Sequence, residues 1–265
     1  YSALASYGEC PSRFFATRVL KLDQPDQSPR ENLNEVPERP SLDPELASHR
    51  PLDSTGFGVA VHSLLERLPS RRWLPPTREE IRRALAAEGI EAEPEIELAG
   101  AMLEGFLDSE LGRQVAARRP EVEASLLVEI DGVIVRGFAD LLVRDPENPL
   151  ILDYKTNLIA DSTPEALMAG YELQRDLYAL AVSQALGTET VETAFVFLRD
   201  PANPVRDRFD SDRLDAARAA IATPVGDIAK GLYLGGPEAT YQPCGNCWAC
   251  ELLAGQILAV GGTTE

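Results

Sequence analysis

The sequence has little positive charge, and lysine is especially scarce. Its 265 residues include 25 lysines and arginines against 43 aspartates and glutamates, which gives a net charge of −18. Its lysines are Lys21, Lys155 and Lys230. A protein that coats nucleic acid through a general basic surface is therefore excluded, because such binding needs many cations near the phosphates. An acidic protein can still bind a polyanion where positive charge is local or where attached domains deliver it.

Long apolar runs are also absent. We find neither a signal peptide nor an apolar stretch long enough to span a membrane, so we expect a soluble, cytoplasmic protein with no membrane partner. The 44% apolar composition is sufficient for a substantial core. The sequence begins at Tyr1 rather than methionine, and its first residues already predict a helix. We therefore expect a domain of a longer polypeptide.

The periodicity of apolar residues predicts an α/β fold. Asp131-Gly132 between two alternating segments is a strong hairpin signal. We expect a central mixed β-sheet flanked by helices in a single domain, 1–265, with a helical insertion at 69–120. The predicted elements are a helix at 2–20, a proline-rich connector at 23–55, a helix at 56–68, a helical block at 77–119, strands at 121–130, 133–143 and 150–154, a helix at 164–186, a strand at 190–199, an edge strand at 206–209 and a helix at 211–231.

Two carboxylates and a lysine lie on neighbouring predicted strands. Asp140 is in one strand and Asp153 is near the end of the next, so the two could bind one divalent ion. Mg²⁺ prefers such oxygen ligands together with phosphate and water. Lys155 follows Asp153 by two residues and should point to the same face of its strand. There its ammonium could orient a water molecule or offset charge on a phosphoryl transition state.

Each residue also has an ordinary structural interpretation. Asp140 alone would be read as a surface carboxylate near a turn, and Asp153 with Lys155 as an ion pair on an edge strand. The combination favours chemistry, because both charges follow the apolar run Leu150–Leu152 at the point where a buried strand emerges.

Several separated motifs together resemble one family. They are Gly137-Phe138-Ala139-Asp140, then Asp153-Tyr154-Lys155-Thr156, then Gln174 with Tyr178 one helical turn later, and upstream the helix carrying His62. This set resembles the RecB-type branch of the PD-(D/E)XK nuclease superfamily, which implies a restriction-endonuclease-like fold and metal-dependent cleavage of DNA.

The resemblance also implies roles for individual residues. Asp140, Asp153 and the Tyr154 carbonyl would bind Mg²⁺ or Mn²⁺, His62 would complete or support the metal shell, and Lys155 would be the catalytic lysine. Gln174 and Tyr178 would line the site, although simple helix packing explains them almost as well. Glu123 is either an accessory ligand or a solvated strand carboxylate. Asn157 stands where the family often has glycine, a departure that affects loop shape rather than chemistry.

All four cysteines lie in two terminal segments, 1–22 and 240–254. Cys10 precedes a proline, and Cys244, Cys247 and Cys250 form a tight run. Such clustering is unsuited to ordinary disulfides in a cytoplasmic protein. Four thiolates suit either tetrahedral zinc or an iron–sulfur cluster.

The resemblance favours iron over zinc at these cysteines. AddB-like nucleases carry one N-terminal cysteine and three C-terminal cysteines around a [4Fe–4S] cluster that joins the ends of the domain. The Cys-x-x-Cys spacing of the last pair is shorter than is usual there, and zinc stays the alternative.

The function implied by the resemblance is that of a Mg²⁺-dependent DNA exonuclease domain in a UvrD/RecB-type helicase–nuclease acting in double-strand-break repair and recombination. Its partners would be DNA and helicase motor domains, either in cis or in a separate partner protein. The alternatives are a free-standing iron–sulfur exonuclease of CRISPR adaptation and a non-catalytic DNA-binding or scaffolding module.

Overall fold

The computed structural model describes residues 2–23, 55–157 and 163–253. Nearly all of the predicted connector at 23–55 lies outside them. The strands are β1 (Glu121–Ile130), β2 (Val133–Val143), β3 (Leu150–Lys155), β4 (Val191–Phe197) and β5 (Val205–Phe209). The helices are α1 (Ser2–Glu9), α2 (Pro11–Phe14), α3 (Thr55–Glu66), α4 (Arg78–Ala87), α5 (Glu93–Asp108), α6 (Glu110–Ala117), α7 (Pro164–Met168), α8 (Glu172–Leu186) and α9 (Ser211–Ala229), with a π-helical segment at Phe15–Val19 and a 3₁₀ turn at Pro69–Arg71.

The five strands form one mixed sheet in the order β1-β2-β3-β4-β5. β2 and β3 are antiparallel, β3 and β4 are parallel, and β4 and β5 are antiparallel. Asp131 and Gly132 both adopt positive φ, of 51° and 81°, as a tight two-residue hairpin turn requires. The predicted mixed sheet flanked by helices is confirmed.

Helices cover both faces of this sheet because each central strand alternates between two apolar sets. Leu152 and Val196 belong to the core that includes residues of α3, α4, α5 and α6. Phe195 and Phe197 point to the other face and pack with Met168 of α7. The chain thereby places α3 on one side of the end of β3 and α8 on the other.

The contacts divide the chain into two compact units. Among the described residues, one unit contains 55–129, 134–157 and 163–218, and the other contains 2–23, 130–133 and 219–253. Within the second unit, the Tyr7 hydroxyl donates to the Leu232 carbonyl over 2.8 Å, and the Phe15 ring stacks on Tyr233 with centroids 4.9 Å apart. These contacts tie its N-terminal helices to its C-terminal segment. The predictions of a single domain and of an insertion at 69–120 stay predictions.

Two predicted helices are interrupted. The predicted helix at 2–20 breaks at Cys10, which is extended with φ −164° and ψ 110° because a residue before proline avoids the helical conformation. The predicted helix at 164–186 breaks at 169–171, where Gly170 and Tyr171 form a turn between α7 and α8. Both breaks position side chains at the sites described below.

No helix among the described residues has the length and apolar character needed to cross a membrane.

Candidate active site and cysteine cluster

The candidate active site opens where β2 and β3 separate. Their ladder ends at the pair Leu141–Leu152. Beyond this pair, the Tyr154 N–H donates to Asp140 Oδ2 over 2.5 Å. A charge-assisted hydrogen bond of this kind fixes the orientation of a carboxylate. The gap therefore presents the Asp140 carboxylate beside the peptide that follows Asp153.

Asp153 is a buried carboxylate, only 4% exposed. Its Oδ1 accepts a hydrogen bond from Gln174 Nε2 over 2.8 Å, and its Oδ2 lies 2.6 Å from Lys155 Nζ. Burial raises the pKa of Asp153 to about 6; the ammonium of Lys155 opposes this rise and the charge of Asp140 adds to it. A bound cation would compensate for the buried negative charge.

The Lys155 ammonium is held from three directions. Besides its ion pair with Asp153, Nζ donates to Gln174 Oε1 over 3.0 Å. It also lies 4.1 Å from the centroid of the Tyr171 ring, within cation–π range. These contacts hold the flexible Lys155 side chain in one well-defined position. Such fixed placement is what a functional site needs from its side chains.

Gln174 and Tyr178 connect α8 to both strands of the site. The Gln174 amide nitrogen donates to Asp153 and, over 2.7 Å, to the Tyr178 hydroxyl. The Tyr178 hydroxyl in turn donates to the Phe138 carbonyl of β2. These hydrogen bonds form one continuous network from Asp153 to the backbone of β2.

His62 approaches the site from α3 on the opposite side. Its Nδ1 lies 3.2 Å from Asp140 Oδ1. Burial lowers the pKa of His62, but the hydrogen bond and charge of Asp140 outweigh that effect and raise it overall. One turn earlier, Gly58 lies so close to Thr156 that an added Cβ would come within 3.1 Å of its hydroxyl. The small residue lets α3 approach the end of β3.

All seven residues predicted for the site border one open cavity of about 380 Å³. The strand geometry also directs the Tyr154 carbonyl to the same side as its N–H, towards Asp140. The residues brought together are His62, Asp140, Asp153, Tyr154, Lys155, Gln174 and Tyr178.

Glu123 on β1 borders the same cavity and has a strained backbone. Its φ of +48° is rare for a residue with a side chain and costs on the order of 1 kcal/mol. Burial, followed by the charges of Asp140 and Glu66, raises the pKa of Glu123. This placement brings a third carboxylate to the edge of the cavity. Glu123 is itself exposed, so the accessory ligand and the solvated strand carboxylate both stay open.

Comparison with known proteins identifies the family. The sequence profile of the PD-(D/E)XK nuclease superfamily matches residues 1–252. The chain belongs to this nuclease superfamily. It is also similar to an ATP-dependent helicase/nuclease subunit of Streptococcus suis, with 27% identity over 72% of this chain and 16% of that protein.

Other relatives show the same partial coverage. The corresponding helicase/nuclease protein of Listeria monocytogenes is 26% identical over 60% of this chain and 15% of that protein. A solved candidate exonuclease from Eubacterium rectale aligns with a TM-score of 0.48 and 14% identity, covering 76% of this chain and 75% of that one. This chain spans about one sixth of the length of the two helicase/nuclease proteins.

Tyr171 is a residue of the candidate site that sequence reasoning missed. Its ring faces Lys155, and its hydroxyl donates to Asn157 Oδ1 over 3.1 Å. The turn at Gly170 that creates this position was hidden inside an apparently continuous helical pattern. Asn157, noted only as a departure from the family, borders the cavity and orients Tyr171.

The four cysteines of this nuclease-superfamily chain form a second cluster. Their sulfur atoms all lie within 4.8 Å of one another and could hold a metal. Cys10 Sγ lies 3.5 Å from Cys250 Sγ and 3.8 Å from Cys247 Sγ. The extended conformation of Cys10, imposed by Pro11, turns its thiol out of the path of the helix. The structure thus joins residues 240 positions apart in sequence.

The donor set of the cluster fits a thiophilic metal. Its members are thiols alone. The backbone N–H of Asn246 lowers the pKa of Cys244 to about 6, whereas burial raises the pKa of Cys10 and raises that of Cys247 to about 12. A bound cation would stabilise the thiolates of the latter two. Three of the sulfur pairs are 3.5–3.8 Å apart, which corresponds to the edge of a tetrahedron around one ion. A four-iron cluster requires wider spacing, because each thiolate binds a different iron. The exposed position of Cys244 leaves room for such widening.

Proposed function

We propose that this domain is a Mg²⁺- or Mn²⁺-dependent DNA exonuclease within a helicase–nuclease that acts in double-strand-break repair and recombination. The observation that carries the proposal is the arrangement of Asp140, Asp153 and Lys155 around one cavity, with His62 and Gln174 holding them. Membership of the nuclease superfamily and similarity to helicase/nuclease proteins support it. The test is divalent-metal-dependent release of nucleotides from end-labelled DNA by the purified domain.

The residues around the cavity fit a hard divalent cation. Asp153 Oδ2 is buried and has only its ion pair with Lys155, with no aligned hydrogen bond, so lone pairs stay available. Asp140 and the Tyr154 carbonyl would supply further oxygens, and His62 a nitrogen at the edge of the shell. A bound Mg²⁺ would polarise the scissile phosphate and lower the pKa of a bound water molecule.

The protein side chains would act on the phosphate and on the attacking water. The Lys155 ammonium, held by Gln174 and Tyr171, would donate a hydrogen bond to the water or to a phosphate oxygen as charge develops there. Gln174 touches both Asp153 and Lys155 and is a positioning residue. The cavity is open, so a nucleic acid strand can reach it without opening of the core.

The strong negative charge of the domain agrees with a role inside a larger machine. A free polyanion would be repelled by a net charge of −18, whereas a helicase motor, in cis or in a separate partner protein, would feed the strand to the site. A free-standing exonuclease of CRISPR adaptation would need its own basic surface. A non-catalytic scaffold would not need the ordered network around Lys155.

Replacing Gln174 tests the positioning network. Gln174→Ala is expected to lower kcat about ten- to a hundredfold and to change its pH profile, because Asp153 and Lys155 lose their shared partner. Gln184→Ala, ten residues along the same helix, is the matched control. Initial rates on end-labelled DNA across a pH series make the comparison. An unchanged pH profile with a small loss of thermal stability would reduce Gln174 to a packing residue.

Metal affinity should depend on pH. Asp153 must lose its proton to bind a cation, and its folded pKa is about 6. Mn²⁺ affinity should therefore rise as pH increases through 6 and fall about tenfold for each pH unit below it. The raised pKa of His62 acts in the same direction. Calorimetric titration of Mn²⁺ between pH 5 and 7 measures the slope, and an affinity that does not change over this range would contradict the assignment.

A further inference from the structure

An aromatic ring is exposed on the wall of the candidate active site. Phe138 on β2 is 46% exposed and borders the same cavity as Asp140, Asp153 and Lys155. The other lining residues carry carboxylate, amide, hydroxyl, ammonium or imidazole groups, and the tyrosine rings among them are buried or partly buried. A flat apolar ring at this position offers a surface on which a ligand in the cavity could stack.

The backbone that carries this ring is held firmly in place. The Phe138 carbonyl accepts a hydrogen bond from the Tyr178 hydroxyl. Its neighbour Gly137 packs so closely against Tyr178 that an added Cβ would come within 3.1 Å of that ring. The same hydroxyl is bound by Gln174, which contacts Asp153 and Lys155. Phe138 is therefore fixed relative to the carboxylates that would bind the metal.

A cation accompanies the ring. The Arg136 guanidinium carbon lies 4.6 Å from the centroid of the Phe138 ring, within cation–π range. Arg136 and Phe138 are two residues apart on β2, so both side chains leave the same face of the strand, and both are exposed. A flat apolar surface with an adjacent positive charge matches a nucleotide, which has a base with a π-face and a phosphate. In a domain with a net charge of −18, such a local cation favours a polyanion over an apolar protein partner.

We propose that Phe138 is a stacking platform for an unpaired nucleobase next to the scissile phosphate, with Arg136 contacting the strand backbone. This inference rests on the proposed nuclease function and extends it to the substrate class. Bases inside a duplex already stack on their neighbours, so a protein ring can cover a base face only in a single strand or at a frayed end. The site should therefore discriminate in favour of unpaired strands.

Kinetics of matched variants test the platform. Phe138→Leu should raise KM on single-stranded oligonucleotides about tenfold, with a much smaller change in kcat, because stacking contributes to binding rather than to the transition state. Phe138→Trp should restore the wild-type KM, since it provides a ring again. Ile134→Ala is the control, because Ile134 is 70% exposed on the same strand but does not border the cavity. Equal KM values for wild type and Phe138→Leu would overturn the proposal.

A binding measurement separates this proposal from the nuclease assignment. In the Lys155→Ala background, an oligonucleotide carrying 2-aminopurine should lose fluorescence on binding, because this base is quenched when it stacks. Adding Phe138→Leu should remove the quenching, and Phe138→Trp should retain it. Quenching that is unaffected by Phe138→Leu would disprove the platform even in an active enzyme. If quenching depends on Phe138 but the wild-type protein cleaves no DNA, the platform proposal stands and the nuclease function is disproved.

Discussion

Asp153→Ala is expected to abolish divalent-metal-dependent cleavage of DNA, with a loss of roughly a thousandfold or more. The change removes a ligand of the metal ion that would stabilise charge at the reacting phosphate. The fold should survive. The change removes a buried carboxylate whose pKa is already raised by its surroundings, and opens no cavity in an apolar cluster. Release of nucleotides from labelled single-stranded DNA, with circular dichroism of the same samples, gives both quantities.

Two variants complete this experiment. Asp215→Ala, an exposed carboxylate on α9, controls for the loss of one negative charge and should retain full activity. Lys155→Ala should be as inactive as Asp153→Ala but should still bind Mn²⁺, because the ammonium acts on water or phosphate rather than on the ion. Cleavage by Asp153→Ala at near the wild-type rate would disprove the assignment of the site.

Where local chemistry decides the structure, the sequence was sufficient to predict it. The strands at 121–130 and 133–143 have the predicted bounds, because alternating residues and an Asp131-Gly132 turn act through neighbours in sequence. The capping box of Thr77 and Glu80 likewise begins α4 where it was expected. Pairing of the hairpin with β3 then brings Asp140 beside the end of that strand.

Features set by tertiary contacts could not be predicted from the sequence. After the turn at Gly170, the Tyr171 ring packs on Phe195 and Phe197 of the sheet and lies beside Lys155, contacts between residues far apart in sequence. The left-handed backbone of Glu123 carries no glycine signal, so nothing in the local sequence marks it. The network from Gln174 to the Phe138 carbonyl depends on the distance between α8 and β2, which helical periodicity cannot specify.

The cysteine cluster links the two ends of its unit and should contribute strongly to stability. Cys10 and Cys250 are buried, and their sulfurs meet across 240 positions of sequence. A metal held by these thiols would cross-link the two ends of the unit in the folded protein. Metal ligation by thiolates also occurs mainly in the folded state, so its free energy adds to that of folding.

Cys10→Ser is therefore expected to lower the melting temperature of the unit containing the cluster by roughly 10–20 °C and to remove the bound metal. We expect the wild-type protein to be brown, with iron and sulfide in equal amounts, as a [4Fe–4S] cluster requires. Calorimetry, visible absorption and elemental analysis measure these effects, with Asn246→Ala in the same exposed loop as the control. A colourless protein with one zinc ion would replace the iron–sulfur cluster by a tetrahedral site, as the 3.5–3.8 Å sulfur spacing allows. A metal-free protein with unchanged stability in Cys10→Ser would show that these thiols bind no metal.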